Sequence, residues 1–194
     1  MSDSRAANAQ AQAVHQAEVQ QMPFVSGLML LGVIVSAIAI FEFLGYKILG
    51  LGAEAFFASF TLLWYWATVE KAEFSGLPAS VIGALVGVAL AWQSGWFVSH
   101  YGMPNGLIMG LAPIVIALFL VIMNWVPMVF NGSAMLFLTI LGAPAIAKTA
   151  DFVLLSKAVV MGAVFFAGVV WLAKAYVDIR TKAKMASGKQ VVSA

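Results

Sequence analysis

Long apolar runs, separated by short polar or glycine-rich links, divide the chain. They extend from about Phe24 to Gly45, Ala53 to Val69, Pro78 to Val98, Gly106 to Trp125, Pro127 to Ala147 and Phe152 to Tyr176. The stretch Leu107 to Met123 carries no charge and is long enough to cross a hydrocarbon core of about 30 Å. The pattern predicts an all-α integral membrane protein with six transmembrane helices. Pro23 suits the first turn of the first helix, and Pro113 is expected to kink the fourth. The links are chemically distinct. Glu70-Lys71-Ala72-Glu73 is charged, His100 to Asn105 is rich in turn formers, and Lys148 to Asp151 leads into the last run. The pattern centres on Gly106 to Ala147, read as two spans folded back through Asn124-Trp125-Val126-Pro127.

Only the ends depart from this pattern. Residues 1–23 form a polar Ala/Gln-rich tail, and residues 177–194 a basic, Lys-rich one. The first tail lacks the positive n-region running into a short apolar core that marks a signal peptide. It reads as a surface helix or as an arm for a protein partner.

Charged residues make up 9% of the chain, against about 25% in a soluble domain, so most of the surface must face lipid or protein. No cysteine is present, which excludes disulfides and thiolate chemistry. The two histidines, His15 and His100, fall in the tail and in a link. Neither a nucleophile elbow, a phosphate loop nor a paired-histidine spacing occurs. These absences point away from an enzyme, a metal or cofactor, and a nucleic-acid partner.

A faint internal repeat accompanies the runs. Gly27-Leu28 opens the first as Gly106-Leu107 opens the fourth, and Gly83-Ala84 precedes Trp92 as Gly162-Ala163 precedes Trp171, with one common offset. The units are then 24–98 and 106–176. Each holds three spans, so the copies have opposite orientations, and solute sites in such proteins lie near the interface between copies. Lys and Arg place the termini on the cytoplasmic side. Arg5, Lys71, Lys174, Arg180, Lys182, Lys184 and Lys189 fall there, against Lys47, Lys148 and Lys157 on the other side.

Polar groups inside the spans are the candidates for function. Ser59 and Thr61 on the second helix, and Asn131 and Ser133 on the fifth, either line a solute path or hydrogen-bond a neighbouring helix. Ser59 and Asn131 would be symmetry mates about the midplane. Phe57, Phe60 and Phe130 would narrow such a path, or pack. Glu42 and Glu54 either shape an outer vestibule, with Lys47 and Lys157 as partners, or sit at headgroup level. Asn124 serves the turn beside it. Gln93 and Ser94 approach the interface and are weaker candidates. Gly83/Gly87 and Gly106/Gly110 are small-residue pairs at helix spacing, which allow close backbone approach.

Val126-Pro127 followed by Phe130 and Gly132, then Val153-Leu154-Leu155-Ser156, resembles the YcdZ-like family of small bacterial inner-membrane proteins, whose function is not settled. Leu49-Gly50-Leu51 and the Gly76-Leu77 approach to the third helix are also similar. The resemblance covers most of Phe24 to Tyr176 and implies a multi-pass inner-membrane protein. The functional expectation is a channel or uniporter for a small polar solute of the amide or weak-acid class, homo-oligomeric in the lipid bilayer. The alternative is a non-transporting accessory or scaffold subunit.

Overall fold

The protein, a computed structural model, is described over residues 24–192, the side chains at positions 30, 54, 144, 145 and 183–192 excepted. The elements are α1 (Phe24–Leu49), α2 (Ala53–Thr68), α3 (Leu77–Tyr101), α4 (Asn105–Met123), α5 (Gly132–Leu141), α6 (Pro144–Ala147) and α7 (Phe152–Val192). No strand occurs among the described residues.

The expected six spans are corrected to four. Phe24–Leu49, Leu77–Tyr101, Asn105–Met123 and Phe152–Lys182 are long and apolar enough to cross a membrane. At 1.5 Å per residue, the 16 residues of α2 and the 10 of α5 give helices of about 24 and 15 Å, short of the apolar thickness.

The predicted fifth span fails for a local reason. Asn124 closes α4 in the left-handed conformation (φ 52°, ψ 36°), its N–H donating to the carbonyls of Leu120 and Val121. Residues 125–131 are turns, and helix resumes only where Asn131 caps it, its Oδ1 accepting from the N–H groups of Ser133 (3.0 Å) and Ala134 (3.2 Å). Gly142 ends α5, and Pro144 follows two residues later, a common stop signal. The boundary expected at Tyr176 is also absent, because α7 continues to Val192 through a proline-free stretch of Ala, Lys and Met, good helix formers. The N-terminal tail lies outside the described residues.

The chain divides into two units, one ending at Ile40 and one beginning at Phe41. The first contributes the N-terminal part of α1, where the Ser36 hydroxyl returns to the Gly32 carbonyl at 2.8 Å. In the second, α3 packs on α4, α5 and α7, and α2 packs on α7. Contacts along these pairs fix the directions. Ser59 meets Ala158, and further along Ala72 meets Lys174, so α2 and α7 run the same way. Asn131 meets Ala79, and further along Gly87 faces Ala134 and Phe137, so α5 runs with α3. Gly106 lies against Phe97 and Gly110 against Ser94, which makes α4 antiparallel to α3. Trp92 shares a cleft with Phe152, while Leu85 shares one with Met161, so α3 opposes α7.

The core beside α7 is aromatic. Phe41 is fully buried and lies 4.9 to 5.8 Å, ring to ring, from Phe56, Phe60, Phe165 and Phe166. Helices in lipid gain little from expelling water when they meet, so such packing and interhelical hydrogen bonds hold them together. The α2–α3 link is fastened by the same means. The Trp66 indole N–H donates to the Glu73 carbonyl at 2.7 Å, and Lys174 donates to the Ala72 carbonyl at 3.1 Å while lying 5.0 Å over the Phe74 ring.

Candidate functional site

Two polar junctions with one construction occupy the second unit. In the first, the Ser59 hydroxyl on α2 donates to the Ala158 carbonyl on α7 at 2.6 Å. It reaches that carbonyl because Gly162, one turn on, has no side chain; a Cβ there would stand 2.7 Å from Ser59 Cβ. In the second, the Asn131 amide at the head of α5 donates to the Ala79 carbonyl on α3 at 2.8 Å. Gly83, one turn on, again clears the space, and a Cβ there would collide with the Asn131 side chain. Ala158 and Gly162 each follow Ala79 and Gly83 by 79 positions. The offset is that of the Gly83-Ala84 and Gly162-Ala163 match.

These junctions engage the groups expected along a solute path. Asn131 also donates to the Pro127 carbonyl at 3.1 Å, so with its two cap bonds the amide is fully used. Ser133 is buried, and its hydroxyl donates to the Ser80 carbonyl at 2.8 Å. Ser59 is buried too. All three side chains join helix to helix. Ser59→Ala should lower stability by about 0.6 to 2 kcal/mol, the range for one interhelical hydrogen bond, read as a fall in the thermal midpoint of the detergent-solubilised protein.

The remaining candidates are dispersed. Phe60 packs against the aromatic core, 6.0 Å from Phe166. Phe57 lines a cavity of about 240 Å³ beside Thr149, Asp151 and Leu154. Thr61 and Phe130 are half-buried. Glu42 is exposed on α1 and engages neither Lys47 nor Lys157. The side chain of Glu54 lies outside those described.

A larger cleft lies where sequence reasoning placed least weight. About 650 Å³ of space opens between α3, α4, α5 and the start of α7, with Ser94, Ser99, Leu138, Leu141, Lys148 and Phe152 among its walls. Ser94 Oγ contacts two carbonyls, those of Leu90 at 2.9 Å and Gly110 at 3.3 Å, and so sits at the α3–α4 seam that Gly110 makes narrow. Ser99 Oγ donates to the Trp96 carbonyl at 2.8 Å. Lys148 is exposed and has no acidic partner among the described residues. Deeper along α3 the space closes, because Gly87 lets α5 approach so closely that a Cβ would strike the Ala134 carbonyl and lie 2.7 Å from Phe137 Cβ. The cleft therefore has polar groups and one cation toward its mouth and an apolar floor. Of the polar candidates in the sequence, Ser94 alone lines it. Ser99 and Lys148 gave no signal, since a serine near a helix end and a lysine in a link are ordinary.

Comparison with protein-family models, with curated proteins and with solved structures finds no match.

Proposed function

We propose that this chain is a passive uniporter for a small polar solute, an anion of the weak-acid class. It would comprise two inverted units, α1 to α3 and α4 to α7, in a bacterial inner membrane, with both termini cytoplasmic. The observation that carries the reading is the one-ended cleft, with Lys148, Ser94 and Ser99 in its walls and the α3–α5 contact closing it below. A carboxylate would meet the Lys148 ammonium at the mouth, the free donor of this lining, since the Ser94 and Ser99 hydroxyls already donate to backbone carbonyls. A closed floor suits a carrier that opens alternately better than a permanently open channel. The paired junctions support a duplicated unit, because in both a polar side chain bridges to a carbonyl over a glycine 79 positions apart, and the opposed directions of α3 and α7, which carry those glycines, support its inversion. Inverted repeats with sites between them are a common transporter plan. The positive charge at the far end of α7, Lys174, Arg180 and Lys182, supports the orientation, with the cleft opening on the opposite side. The likeness to the YcdZ-like family belongs to the same proposal.

The cysteine-free sequence supplies the test. Ser94→Cys in proteoliposomes should react with a membrane-impermeant thiol reagent from one side only, and several-fold more slowly with a small carboxylate present. Ser133→Cys should resist the reagent from both sides. Reaction of Ser94→Cys at one rate with and without solutes would remove the proposed site.

One observation favours a second reading, the non-transporting accessory subunit. Ser59, Asn131 and Ser133 all serve packing. A stoichiometric partner held through either tail, together with silent transport assays, would select it. A homo-oligomer with solute-protected labelling would select the uniporter.

A further inference from the structure

Separate from the cleft, an apolar groove of about 690 Å³ runs along the opposite flank of α3, where Leu85 faces α7. Its α7 wall is Ser156, Lys157, Val160, Met161, Val164 and Phe165, the last five at positions i, i+3, i+4, i+7 and i+8, which fall on one helix face. Lys157 is the charged residue of this lining. It is exposed and has no acidic partner among the described residues. It lies five residues, about 7.5 Å, below the start of α7, a depth from which a lysine can snorkel to the headgroup level. The stripe then descends about 12 Å from the cation, apolar all the way.

We propose that this groove holds an anionic phospholipid, with its phosphate on Lys157 and an acyl chain along Val160, Met161, Val164 and Phe165. The order of chemistry along the groove selects this occupant. One positive charge sits at interfacial depth and an unbroken apolar channel lies beneath it, which is the profile of a lipid read from headgroup to tail. A second copy of the chain would need a carboxylate opposite Lys157 and side chains that interlock with a smooth groove.

The test uses the full-length protein in vesicles containing phosphatidylglycerol or phosphatidylcholine with a photoactivatable group on the same acyl position. The labelled peptide should span 157–165. Phosphatidylglycerol should label it about five-fold more than phosphatidylcholine, the effect of one lysine near an anionic surface. Lys157→Gln should erase the preference and Lys182→Gln should leave it intact. Val164→Trp, which fills the groove, should lower labelling by both lipids. Equal labelling by the two lipids in the wild type would overturn the proposal. So would labelling confined to other peptides, or a chain-to-chain cross-link at 157–165 in place of lipid.

Discussion

Gly87→Leu is expected to abolish the native packing of the second unit. The obstacle at this position is rigid. A Cβ would strike the Ala134 carbonyl, with the Leu138 nitrogen at 3.0 Å and Phe137 Cβ at 2.7 Å. Two of these three atoms are backbone, so no rotamer change relieves the clash, and α5 must move away from α3. Overpacking of a tight interface costs about 1 to 3 kcal/mol even where side chains can adjust. Here the loss should exceed ~3 kcal/mol, above that range, and the protein should leave a size-exclusion column aggregated or melt well below wild type. Gly95→Leu is the matched control. Gly95 lies two turns along the same helix, and a Cβ there would meet nothing within 4 Å, so a change at this position should have little effect on the melt.

Asn131→Leu carries the next largest expected effect. The wild-type amide accepts two cap bonds and donates to Ala79 and Pro127. Losing a helix N-cap costs about 0.5 to 2 kcal/mol, and losing an interhelical bond in a membrane about 0.6 to 2. Together these predict a loss of about 1 to 4 kcal/mol, measured by thermal melting in detergent. Asn131→Asp separates the contributions. Its carboxylate retains both acceptor bonds at the head of α5 but cannot donate to Ala79, so it should recover the cap's share alone. Because Asn131 lies in a junction and away from the cleft, solute transport per folded molecule should survive in Asn131→Asp.

The sequence foretold the helices whose apolar runs end in polar links. The limits of α2 and α3 lie close to the expected ones because Gly52, the Glu70–Glu73 link and Gly102 interrupt hydrophobicity where the backbone turns. The fifth span was illegible for the converse reason. Val126, Met128 and Val129 are as apolar as a helix yet belong to turns, and hydropathy cannot separate a turn in an apolar setting from a span. The decisive residue was Asn131. Its place directly before Gly132-Ser133 is a capping position, and capping is what it does. Whether an intramembrane serine or asparagine serves a solute or a neighbour depends on which carbonyl lies opposite, and that is a tertiary fact. The Gly83 and Gly162 match did carry information, since each glycine admits the polar group of its junction. The cleft could not be assembled from sequence, because Ser94, Lys148 and Leu138 come from separate elements.

The most direct test of a carrier site at Lys148 is the initial rate of small-carboxylate entry into proteoliposomes, followed by stopped-flow. The account predicts a rate above protein-free vesicles that saturates with concentration and falls about ten-fold or more in Lys148→Gln, the loss of a charge-assisted bond, while the variant melts as wild type does. Rates equal to those of protein-free vesicles, with the protein verified as folded, would contradict it.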